Sequence, residues 1–128
     1  MNKSLPHNYN DLAPTIMEVH DIYVYLRELI ALAETQEYNK FDVCEGLCEL
    51  IQVRMTDNYH TIEPQYSIRI FKWLVGYWPE TEEHLDTYLT VLVNLNIDTK
   101  VREFLEIKLN SDLSFNDKYL IKDALSEI

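Results

Sequence analysis

Carboxylates are the groups with which this chain could most readily do chemistry. Twenty-two Asp and Glu stand against eleven Lys and Arg in 128 residues. Glu45 and Glu49 are one helical turn apart, the spacing of an acid and base pair, but an acid-rich chain produces such pairs by chance. Cys44 and Cys48 share the same spacing. A structural zinc site needs three or four convergent ligands and no second pair is offered, while the redox motif needs two intervening residues rather than three. Two small apolar thiols on one helix face, reduced and in the core, are expected instead. His7, His20, His60 and His84 form no ligand spacing: His20 beside Asp21 and Glu83 beside His84 are sequence neighbours, which point apart on a helix. With only Gly46 and Gly76, the chain has no glycine-rich phosphate cradle, and it has no nucleophile elbow. No catalytic residue, metal or cofactor is expected, and the chain is read as a binder rather than an enzyme.

Two acidic clusters suit binding better. Asp42, Glu45 and Glu49, at i, i+3 and i+7, make a negative ridge opposite a stripe led by Phe41, with no cation at the neighbouring turns. Glu80, Glu82, Glu83 and Asp86 follow Tyr77 and Trp78, so carboxylates border large aromatics, a composition common at protein interfaces. The formal charge of −11 repels phosphates and anionic membranes and attracts basic surfaces. It leans toward the N-terminal half, where residues 1–63 hold eleven acidic and four basic groups against eleven and seven in 64–128. Lys100, Arg102, Lys108, Lys118 and Lys122 are interleaved with acids that cancel them, so direct contact with nucleic acid is not expected.

The elements that must carry these residues are helices. Neither glycine falls where a tight hairpin turn would need one, and apolar residues recur at three and four. Six helical segments are predicted: about 14–33, 40–55, 64–78, 80–93, 98–109 and 114–125, preceded by a loose tail over 1–13. Pro64 opens the third and Pro79 stops it; Asp98 is the expected N-cap of the fifth and Ser114, with Asp117 three residues on, of the sixth. Asp57 and Asn58 mark the turn after the second. With 47% hydrophobic residues the chain can bury one core, so a single domain is expected.

An aromatic–leucine pair recurs as Trp73-Leu74, Tyr88-Leu89, Phe104-Leu105 and Tyr119-Leu120, at steps of 15, 16 and 15 residues. One short helix and a tight loop fit each step, so two steps make a helical hairpin. The expected fold is all-α, with stacked helical hairpins as in a small α-solenoid; a compact helical bundle is the alternative.

The run Trp73-Leu74-x-Gly76-Tyr77-Trp78-Pro79 leading into Glu82-Glu83-x-Leu85, with Lys118-Tyr119-Leu120-Ile121-Lys122-x-Ala124-Leu125, resembles small HEAT-like immunity proteins of bacterial toxin systems, such as those for contact-dependent growth-inhibition toxins. The resemblance spans roughly 15–128 in organisation. It implies an acidic, cytoplasmic antidote that binds a basic and nuclease-like toxin domain; a monomer is favoured, with the oligomeric state left open. A nucleic-acid mimic that inhibits a nuclease or defence complex, and an adaptor holding a peptide helix, are the competing readings. The start of the chain shows no apolar leader and no stretch long enough to span a membrane.

Overall fold

A computed structural model of the chain describes residues 3–6, 19–55 and 62–128. It is all-helical: α1 (Val19–Thr35), α2 (Lys40–Glu49), α3 (Pro64–Leu74), α4 (Glu82–Val93), α5 (Asp98–Leu109) and α6 (Phe115–Leu125). The predicted first turns from Pro14, His7, His60, the side chain of His20 and the turn at 57–58 lie outside the described residues.

Local chemistry sets the starts. The Asn39 side chain accepts from the amides of Phe41 and Asp42 at 2.9 and 3.2 Å, Thr81 accepts from His84 at 3.2 Å and Ser114 from Asp117 at 3.1 Å. Pro64 occupies the first turn of α3, where a missing N–H costs nothing. Asp98 is not the N-cap of α5. Ile97 holds that position without a side-chain bond, and Asp98 is the first helical residue, where its charge meets the positive end of the dipole.

The last three helices end where expected, at Val93, Leu109 and Leu125, while the ends of the second and third depart. α3 stops at Leu74, four residues short of the proline-defined limit, and Gly76 lies in the turn that follows. The Tyr88 hydroxyl, from the middle of α4, meets the carbonyls of Leu74 and Tyr77 at 2.6 and 3.1 Å and so serves the open end of α3. Beyond Glu49 the second helix widens into a π-helical segment, Leu50–Met55. Its inward face comprises Val43, Cys44, Leu47, Leu50 and Ile51; of the expected stripe Phe41, Cys44, Cys48, Ile51 and Met55, Cys44 and Ile51 are buried, Phe41 and Cys48 are half-buried, and the side chain of Met55 lies outside the described residues. At residues 3–6 the tail is tied down: Lys3 exchanges backbone bonds with Glu37 and Asn39 at 2.8 and 2.6 Å, and Leu5 is buried.

The helices pack in alternating order. α2 lies against α4 and α4 against α6, while α1 lies against α3; α1 also meets α2, and α5 meets α6. This packing of α1, α2 and α4 on the next helix but one is consistent with stacked hairpins and with a helical bundle. Phe41 and His84, each in a first turn, stack across α2 and α4, and Asn116 donates to Glu82 at 2.8 Å across the first turns of α4 and α6. The even-numbered helices therefore run parallel, with their N-termini side by side on one rim. Leu26, Leu29, Leu47, Leu74, Tyr88, Leu92, Leu105 and Ile121 are among the fully enclosed side chains between the rows. Of the recurring pairs, Leu74, Leu89 and Leu105 are buried, and Tyr119 on α6 is 63% exposed. No helix among the described residues is long and apolar enough to cross a membrane.

Candidate acidic face and rim groove

The two acidic clusters, more than thirty residues apart in sequence, belong to one surface. α2 carries Glu45 and Glu49, α4 carries Asp86, and the half-buried Cys48 lies where the fields of all three meet: burial first, then Asp86, Glu45 and Glu49, push its thiol up to about 11. Farther along, Asp86 shares a small recess with Asp123 of α6 and with Glu127 just beyond that helix, lined also by Leu89 and Leu120. Glu45, Asp86, Asp123 and Glu127 are exposed, and Glu49 is half-buried.

None of these carboxylates forms an ion pair among the described residues, where the ion pairs are Lys3–Glu37 and Glu34–Arg69. Lys118 and Lys122 are near Asp123 in sequence, yet helical periodicity turns them at least a quarter-turn away from the recess. Reading them as cancelling charges concealed Asp123 and Glu127 as members of the face. Asp42, half-buried in the first turn of α2, and Glu82 and Glu83, exposed in the first turn of α4, sit at the positive ends of their dipoles. Among the described residues no group of His, Cys, Asp and Glu converges as a metal site.

At the rim between α2 and α4 opens a groove of about 420 Å³, lined by residues 39–41, Cys44, the connection 77–81 and His84. The connection is braced from beneath. Tyr88 packs edge-on against Tyr77 and Trp78 at 5.3 and 5.4 Å, and Phe104 lies 6.2 Å from Trp78. Tyr77 is a hydrogen-bond partner of Cys44, whose thiol is pushed up to about 12 by burial. Burial raises the Tyr77 and Tyr88 hydroxyls as well, so they stay protonated donors. Two lysines cover the rings: Lys40 Nζ is 5.2 Å from the Tyr77 centroid, and Lys108 Nζ is 5.0 Å from that of Trp78. Tyr77 and Trp78 thus combine a packing role with a half-buried edge on the groove, and Glu80 stands exposed at its mouth.

No protein-family model, curated protein or solved structure matches this chain.

Proposed function

We propose that the chain is a binding protein whose acidic face over α2, α4 and α6 receives a basic protein, and that the partner is a toxin domain which it neutralises as an immunity protein. The partner's class comes from the sequence resemblance. One observation supports the surface: carboxylates of α2, α4 and α6 adjoin one another with no ion pair among the described residues, including Asp123 in the last turn of α6, where the helix dipole disfavours an anion. First-turn acids such as Glu82 and Glu83 are explained by the dipoles they face; Glu45, Glu49, Asp86, Asp123 and Glu127 are not. A cationic surface would relieve their repulsion and be steered toward them. A nuclease toxin fits, because its phosphate-binding cleft must be basic.

The test is co-purification with the C-terminal domain of a large secreted protein encoded next to this gene, followed by protection of cells expressing that domain. Tight association at moderate salt together with protection is expected. Absence of both would exclude the immunity reading, and binding without protection would leave an adaptor.

A further inference from the structure

The rim groove has features that select one kind of occupant. Its walls include flat rings: Phe41 stacked on His84 with centroids 3.5 Å apart and planes inclined by 21°, and Tyr77. The Tyr77 face already holds a cation. Lys40 is the first residue of α2, the end where the dipole disfavours positive charge, and it joins no ion pair among the described residues; its ammonium nevertheless lies over the ring. At the mouth, Glu80 offers a carboxylate that is likewise unpaired among the described residues.

An aromatic plate beside a free carboxylate is what a guanidinium uses best, because its plane stacks while its edge forms paired hydrogen bonds. An ammonium can lie over a ring and donate to a carboxylate, but as a strongly hydrated point charge it has neither a plane to stack nor a fork of paired donors. We propose that the groove takes a single arginine side chain of the partner, its guanidinium replacing the Lys40 ammonium on the face of Tyr77 and pairing with Glu80. This rests on reading the neighbouring acidic face as a protein interface. Lys40 and the two adjoining helix N-termini oppose a second cation; Lys40 is exposed, so it can swing into water as the guanidinium enters.

The experiment uses the full chain, labelled with ¹⁵N, and two probes: N-acetyl-arginine methylamide and its lysine counterpart. The chain has two tryptophans, so Trp73→Phe assigns the Trp78 indole signal. The arginine probe should shift that signal saturably, at least about threefold more tightly than the lysine probe. Glu80→Gln should weaken the arginine probe about two- to fivefold, and Lys40→Gln should strengthen it by a similar factor. No saturable shift, equal affinity for both probes, or a Lys40→Gln protein that binds no better would overturn the proposal. The two readings separate cleanly: if a partner domain still binds through Glu45, Glu49 and Asp86 while the probe fails, the groove falls and the acidic face stands.

Discussion

Cys48 reports on the charge around it. Cys44 and Cys48 look equivalent in sequence, two small residues one turn apart, and both are expected in the core. The fold separates them: Cys44 is buried beside Tyr77, whereas Cys48 is half-buried among Glu45, Glu49 and Asp86. With its thiol raised from 9.0 to about 11, Cys48 should carry roughly a hundredfold less thiolate at neutral pH than a free cysteine and alkylate correspondingly slowly. Replacing Glu45, Glu49 and Asp86 with their amides should speed iodoacetamide labelling of Cys48 several-fold and affect Cys44 much less, since burial is the largest cause there and Glu45 the smallest, as followed by peptide mass spectrometry. Equal rates before and after would mean that these carboxylates do not meet at Cys48. The neighbours from α2 are legible in sequence from the helical repeat; Asp86 is not, because only the packing of α4 on α2 brings it there.

Where a start is written in a local side chain it was legible, as at Ser114 and Pro64, whereas the cap at Thr81 was missed and Asp98 proved to be the first helical residue rather than the cap. The ends of α4, α5 and α6 fall at the expected residues, but the early end of α3 answers to a tertiary partner. Nothing near Leu74 in sequence announces that a tyrosine fourteen residues later will take its carbonyl. Tyr88→Phe should therefore cost about 1–3 kcal/mol in urea unfolding, since it leaves a buried carbonyl unserved, and should broaden the signals of residues 75–81. Gln36, just beyond α1, holds a φ of 60°, a left-handed conformation that glycine adopts without a side-chain penalty. Gln36→Gly is expected to stabilise the protein by about 0.5–1 kcal/mol in the same assay. Between α1 and α3, the Arg69 hydrogen bond holds the Glu34 carboxyl below its ordinary value. A depressed carboxylate pKa stabilises the fold above the unfolded-state value and loses that stabilisation as pH falls through the folded one. The urea midpoint of Glu34→Gln should hence lie below wild type at neutral pH and converge with it on acidification, by a small margin because both side chains are about half exposed.

For the molecule as a whole, the stacking order converts a chain-long excess of acid into a directional field. The sequence shows two clusters and a charge gradient toward its first half, and from these alone the interface is expected over the first two helices and their junction with the third. The parallel row α2, α4, α6 shifts the centre to Asp86, with Glu45 and Glu49 on one side and Asp123 and Glu127 on the other. If a basic partner arrives there, long-range attraction should dominate the encounter and short-range contacts the lifetime. Reversing Glu45, Glu49 and Asp86 to Lys should slow association by about tenfold or more at low salt, with a much smaller change in dissociation. Raising the ionic strength to shorten the Debye length from about 30 to 8 Å should slow wild type toward the variant and barely affect the variant. Circular dichroism should show the helices intact, with thermal stability equal or higher because like-charge repulsion is reduced. Wild-type association rates in a well-folded reversal variant would place the partner elsewhere on the surface, and the acids of this row would then be a solvated face.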